Sequence, residues 1–177
     1  MKDNKKRNLI RIIASVLIIV VVIGIWFLKN GNGTINDIGS GSDNPDFELA
    51  TTELDLEQLK SYELPIIIDF GSDSCIPCKE MAPVLEELNA DLRGKVIVKF
   101  VDVWKYPKMA EGFPISVIPT QLFFDKDGKP FVPSDPEAMG MNMYQSNDTK
   151  EHVYTTHEGG MTKEQFINVL TEMGLDE

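Results

Sequence analysis

Ile66-Ile67-Ile68, entered from Pro65 and continued by Asp69-Phe70-Gly71, is β-branched and apolar at consecutive positions. A strand with one wet face alternates apolar and polar residues; this run has no wet face, so it needs cover on both sides. That requirement points to a layered arrangement of helices packed on a sheet. Val96–Val103 carries the same signature. Between the two, Met81, Leu85, Leu88 and Leu92 fall on one helical stripe within 76–92, with Gly94 as the stop. Pro83 inside that pattern predicts a kink. Phe47–Thr51 predicts a short first strand and Leu54–Tyr62 a short helix. Thr120–Asp125 predicts another strand, Asp127-Gly128 a hairpin turn, and His152–Thr156 the returning strand. Thr162-Lys163-Glu164-Gln165 is a capping box, with Met161 and Phe166 placed for a hydrophobic staple. Phe166, Val169, Leu170 and Met173 form the buried stripe of that last helix, and Gly174 is its C′ residue. The order predicts an α/β domain over residues 45–177, a mixed central sheet flanked by helices, with a further helix between the Val96–Val103 and Thr120–Asp125 strands. Residues 130–151 interrupt it with three prolines, the Met-rich Met139-Gly140-Met141-Asn142-Met143 and no clear period. They read as an insertion in the hairpin, either a partner surface, since methionines adapt to varied partners, or a decorative loop.

The start of the chain is of another kind. Ile12–Leu28 is an uncharged run of 17 residues with a single hydroxyl, Ser15, and with Leu9, Ile10 and Arg11 it reaches 20. Twenty helical residues span roughly 30 Å, the thickness of a bilayer's hydrocarbon core. Arg11 can return its charge to one interface, and Trp26 suits the other. A signal peptide has a shorter apolar region and a small-x-small cleavage site, whereas this run ends Trp26-Phe27-Leu28-Lys29-Asn30. The expectation is therefore an uncleaved single-pass transmembrane anchor over 9–28, behind a basic cytoplasmic segment over 1–8. Lys2, Lys5, Lys6, Arg7 and Arg11 cluster before or at the start of the run, so the N-terminus faces the cytoplasm and the body is extracytoplasmic. Residues 29–44, rich in Gly, Asn, Ser and Asp, read as a flexible linker. Asn32-Gly33-Thr34 and Asn147-Asp148-Thr149 fit the glycosylation pattern, a short one that matters only in a eukaryotic secretory route. With five basic groups against one acid in 1–28, the rest of the chain is more acidic than the overall net charge of -11. A body so charged repels phosphate backbones, which argues against nucleic acid as a partner.

Both cysteines of the chain lie in one tetrapeptide, Cys75-Ile76-Pro77-Cys78, where the Ile66–Gly71 strand gives way to a helix. Unpaired N–H groups and the helix dipole at that junction favour a thiolate at Cys75. Two intervening residues allow a disulfide across one turn, so that one sulfur attacks a partner disulfide and the second resolves the mixed disulfide. Three other readings use the same residues. A structural disulfide this local would constrain the unfolded chain little. Haem attachment needs His after the second Cys, and Lys79 stands there. Zinc draws on Cys75, Cys78, His152 and His157, but the histidines lie far beyond the spacing of a finger. No metal is expected.

Asp69-Phe70-Gly71-Ser72-Asp73-Ser74-Cys75-Ile76-Pro77-Cys78-Lys79-Glu80-Met81-Ala82-Pro83 resembles the active-site strand and helix of thioredoxins. Pro83 matches the kink proline, Ile118-Pro119-Thr120 resembles the family's cis-proline loop, and Gly159-Gly160 its glycine before the last helix. The resemblance spans about 47–175 apart from the insertion and implies the thioredoxin fold. It implies Cys75 as the attacking thiol and Cys78 as the buried resolving one, the two forming a redox-active disulfide. It implies Ile118 and Pro119 as the substrate-binding loop, where a proline excludes an N–H and narrows metal access. Asp69 matches the buried carboxylate that relays a proton for the second cysteine, and Lys99 falls where the family often has a lysine partner for that acid. From the residues alone, Asp69 is either buried with a raised pKa or exposed at the strand end. Ser74 and Gly71 depart from the family's aromatics at these positions, which makes the groove smaller and more polar.

Direction follows from how far the thiolate is stabilised. No histidine lies between the cysteines, and Asp73 and Glu80 oppose a second negative charge while Lys79 favours it. The expectation is a membrane-anchored thiol-disulfide oxidoreductase that reduces or isomerises protein disulfides. Its electrons would come from a membrane thiol-electron carrier of the cytochrome-c-biogenesis type, as location and resemblance together imply. No bound cofactor is expected. An oxidase for nascent secreted proteins and a non-catalytic binding or chaperone module are the alternatives.

Overall fold

The computed structural model describes residues 44–175. The expected basic segment, anchor and nearly all of the linker lie outside the described residues. Among those described, no helix is long and apolar enough to cross a membrane.

The triple isoleucine runs down the middle of the sheet. Strand β1 (Ile66–Gly71) pairs in parallel with β2 (Ile97–Asp102) and antiparallel with β3 (Thr120–Phe124). Beyond β3 lie β5 (His152–Glu158) and then β4 (Met141–Gln145), giving the order β2-β1-β3-β5-β4. Ile66, Ile68 and Phe70 point to one face with Ile97, Val101, Leu122 and Phe124. Helix α1 (Leu56–Lys60) and the segment from Val103 to Ile115 cover that face through Leu59, Met109, Phe113 and Ile115. Ile67 points to the other face with Val98 and Phe123, under α2 (Ile76–Asp91) and α3 (Lys163–Glu172). A central strand apolar on both faces is thus covered on both, as its sequence requires.

Two expectations are corrected. Phe47–Thr51 is not a strand: Asn44 caps a 3-10 turn over Pro45–Phe47, and only Ala50 makes a parallel bridge, to Phe100. Lys99 is the physical reason, because its Nζ holds the carbonyls of Pro45 and Glu48 at 2.7 and 2.8 Å and bends the segment around itself. The helix expected between β2 and β3 is a 3-10 turn, Pro107–Ala110. The segment between β3 and β5 carries a strand of its own. Asp127-Gly128 does turn the chain, with Gly128 at φ +71°, but the return ends at Phe131, whose N–H bonds the Phe123 carbonyl at 3.0 Å. Pro133 and Pro136 then leave no room for a longer ladder. The chain comes back as β4, an added edge strand that pairs with β5 and closes through Ser146–Lys150.

Candidate active site

Cys75 is the N-cap of α2, and the Cys78 N–H points at its sulfur at 3.4 Å. Pro77 sits in the first turn, where its missing N–H leaves no bond unmade. The two cysteines are disulfide-bonded, with Cα atoms 5.3 Å apart. A thiolate released at Cys75 would keep the Cys78 N–H and the positive end of the helix against it. Cys75 retains 8% of its surface in solvent and Cys78 4%. Both cysteines are buried, and Cys75, the less buried of the two, forms the outer rim of the pair.

Opposite that rim, the Ile118–Pro119 bond is cis, and the Ile118 carbonyl oxygen lies 3.9 Å from Cys75 Sγ. Gly159 N–H bonds the Pro119 carbonyl at 2.8 Å, so the residue after β5 anchors this loop. A groove of about 300 Å³ runs from Ile118 past Val117 and Ile115 to Trp104 and Pro107. Ile76, Trp104 and Val117 stand exposed on this side at 72%, 62% and 50%. Asp102 ties the groove to the cysteine loop: its carboxylate accepts from the backbone N–H groups of Asp73, Trp104 and Lys105 at 3.0–3.1 Å. Burial pushes its pKa up, but those three bonds and nearby Lys105 outweigh burial and hold it below the usual value. Lys105 also pairs with Asp73, whose charge is thereby offset.

Asp69 is fully buried, so the exposed strand-end reading is excluded. Burial raises its pKa from 3.8 to about 7, against the lowering effect of a 2.8 Å hydrogen bond from Gln121 Nε2 to Oδ1. Its Oδ2 has no hydrogen-bond partner among the described residues. A Cβ built on Gly71 would lie 3.1 Å from that oxygen and 3.3 Å from Cys78 Sγ. Carboxylate and inner sulfur thus share the space above one glycine. Lys99 is not the partner of Asp69. Lys99 pairs with Ile68 and Asp69 with Phe100, so the lysine points to the opposite face of the sheet, and the Phe100 ring takes its expected place. Burial lowers the Lys99 pKa, while Asp46 and Glu48 raise it.

The structure brings Cys75, Cys78, Asp69, Ile118 and Pro119 to one end of the sheet. It does not bring the histidines to the sulfurs. His152 Nε2 lies at hydrogen-bond distance from Thr155 Oγ1, and His157 Nδ1 from Gln121 Oε1, both on β5. Sequence reasoning missed Gln121, His157, Phe100, Asp102 and Trp104. Gln121 alone left a signal, a polar residue inside an otherwise apolar strand.

A family model described as thioredoxin matches residues 47–140. The chain belongs to the thioredoxin family. Among similar proteins, a thioredoxin-like protein of Synechocystis sp. is 38% identical over 74 residues, 42% of this chain and 70% of that one. Chloroplastic thioredoxin Y of Oryza sativa subsp. japonica is also 38% identical over 74 residues, 42% of this chain but 44% of its own length. A thioredoxin of Staphylococcus aureus is 45% identical over 64 residues, 36% of this chain and 61% of that one. The chain thus spans less than two thirds of two of these three relatives. The crystal structure of chloroplastic thioredoxin z covers 71% of this chain and 92% of its own, at 22% identity and a TM-score of 0.46. This member of the thioredoxin family is a redox protein with its Cys75–Cys78 pair at disulfide distance. Its mixed sheet with helices on both faces is the thioredoxin fold, extended at one edge by β4.

Proposed function

We propose that this chain is a membrane-anchored, extracytoplasmic thiol-disulfide oxidoreductase that reduces or isomerises disulfides in client proteins. The observation that carries the redox reading is the Cys75–Cys78 disulfide at the N-terminus of α2, with the Ile118 carbonyl on one side and buried Asp69 behind it. In the reduced protein, the Cys75 thiolate attacks a client disulfide; one client sulfur leaves with the electron pair, and a mixed disulfide forms. Asp69 takes the Cys78 proton, and Cys78 attacks Cys75 Sγ. The mixed bond breaks, the second client thiolate leaves, and two electrons have passed from the dithiol to the client. Ile118, held in place by the cis bond to Pro119, offers its backbone to an extended client segment beside the sulfurs. The oxidised pair is then re-reduced by a dithiol donor, for which a membrane thiol-electron carrier fits the proposed location. The anchor and its orientation rest on the apolar run at 9–28 and the basic residues before it.

Cys78→Ser tests the reading, since it removes the resolving sulfur and leaves Cys75. The expected outcome is covalent complexes between this chain and client proteins that dissolve on reduction with dithiothreitol. Absence of such complexes, together with Cys75→Ser retaining full disulfide-reducing activity, would leave a binding module in its place. One observation favours the opposite electron flow: Lys105 offsets the Asp73 charge that argued for a reductant. The reduction potential decides, a value near that of the strongest periplasmic oxidants indicating an oxidase.

A further inference from the structure

A buried polar line runs from Asp69 to the added edge of the sheet. Asp69 Oδ1 accepts from Gln121 Nε2 at 2.8 Å, and Gln121 Oε1 lies 3.1 Å from His157 Nδ1. The amide oxygen only accepts, so Nδ1 carries the hydrogen of that bond. Gln121 is fully buried, while His157 is half-buried. An amide turned over would present its oxygen to the carboxylate and its NH₂ to His157; the histidine N–H opposes that turn, alongside the Met81 sulfur 3.7 Å from Nε2. The ring is held in its own turn by the inserted segment. A Cβ built on Gly140 would lie 3.5 Å from both Cδ2 and Nε2 of His157, and Met141 pairs with His157 across β4 and β5. Gln121 thus engages one oxygen of Asp69 and leaves Oδ2 free on the side of Cys78.

We propose that His157, acting through Gln121, is a positioning residue that fixes which oxygen of Asp69 exchanges a proton with Cys78, and that the insertion takes part by buttressing His157. The proton step rests on the redox function proposed above. As Cys78 Sγ attacks Cys75 Sγ, its proton passes to Asp69 Oδ2, the bond between Cys75 and the client sulfur breaks, and its electron pair leaves on the client. Around Asp69 and Gln121 stand Cys78 and Met81 of α2, Phe100 of β2 and His157 of β5, of which only Cys78 and His157 titrate. Around the His157 ring, Glu158 is the charged neighbour. Burial lowers the His157 pKa, opposed by a Gly159 backbone bond and by Glu158. The Nδ1–H is present whether or not Nε2 is protonated, so His157 orients the amide in both charge states.

The test is a ¹³C NMR titration of the Asp69 carboxyl in the oxidised full chain, where neither sulfur titrates. The Gln121 bond holds this carboxyl down against burial. His157→Phe is therefore expected to move the midpoint up by about one unit, and Gln121→Leu at least as far. His157→Asn, which restores an N–H near Nδ1, is expected to return it to the wild-type midpoint. His157→Phe added to Gln121→Leu is expected to change nothing further. A midpoint unmoved in His157→Phe overturns the proposal, as does one displaced as far in His157→Asn. If His157→Phe does not fold, an unmoved midpoint in Gln121→Leu overturns it alone. The kinetic counterpart is stopped-flow reaction of the reduced chain with an aromatic disulfide. His157→Phe is expected to slow release of the second thiolate several-fold at neutral pH with the first unchanged; equal slowing of both overturns the proposal. An inert Cys75 with the expected titration shifts would remove the redox function and leave the positioning intact.

Discussion

Asp69 sets a cost on the fold that depends on pH. Its folded pKa of about 7 lies above the ordinary 3.8, because burial penalises the charged form more than Gln121 relieves it. Between those values the folded chain holds a proton that the unfolded chain has lost, so stability falls as pH rises, and the loss is complete above the folded value. Its size is on the order of 4 kcal/mol. Asp69→Asn removes the titration while keeping shape and a hydrogen-bonding side chain. Urea unfolding of the oxidised protein is expected to find the variant more stable than wild type by a few kcal/mol at pH 8, with the gap closing toward pH 4. A gap of constant size would assign the effect to packing. The carboxylate stood out in the sequence because Ile-Ile-Ile-Asp-Phe sets an acid at the end of a run that has to be buried, which left open whether the acid itself was buried or exposed. Its partners did not stand out. Lys99 and Phe100 are adjacent, and a shift of one residue along a strand exchanges the faces of the sheet, so the parallel register decided between an ammonium and a ring.

Elements whose signals are local were readable, and those held by distant contacts were not. The last helix shows the first case. Thr162 accepts from the Gln165 N–H at 3.3 Å, and Gln165 Oε1 returns to the Thr162 N–H at 2.8 Å. The other end closes with Gly174 at φ +92° and the Leu175 N–H on the Leu170 carbonyl at 2.9 Å. Both caps are complete within a few residues of sequence. Thr162→Ala breaks the first and is expected to lower stability by about 1 kcal/mol, read by urea unfolding, without changing Cys75 reactivity. Loss of disulfide exchange in that variant would show that α3 controls the site as well as the core. Strand β4 shows the second case. Met141 is buried while Met143 is exposed, so its alternation is too weak to announce a strand, and its existence depends on β5 across the turn. The short first segment failed for a related reason. Pro45 and the buried Lys99 ammonium outweigh the extended preference of Phe47–Thr51, and that lysine lies about fifty residues away in the chain.

At the scale of the whole chain, the proposed anchor decides which partners the site meets. On the proposed anchoring, clients and a membrane donor would dock in turn at the same pair of sulfurs. The rim around Cys75 suits such encounters, since Ile76, Trp104 and Val117 leave apolar side chains exposed beside the sulfur. The acidic body gives no attraction to anionic headgroups, so contact with the membrane would come through the anchor and not through the domain surface. Orientation is the part of this that one measurement decides. After mild reduction of intact cells, a membrane-impermeant maleimide is expected to label the full chain, and Cys75→Ser with Cys78→Ser is expected to abolish the label. Labelling that required permeabilised cells would place the dithiol on the cytoplasmic side. A cytoplasmic dithiol has soluble reductants at hand, and the need for a donor within the membrane would vanish with the orientation.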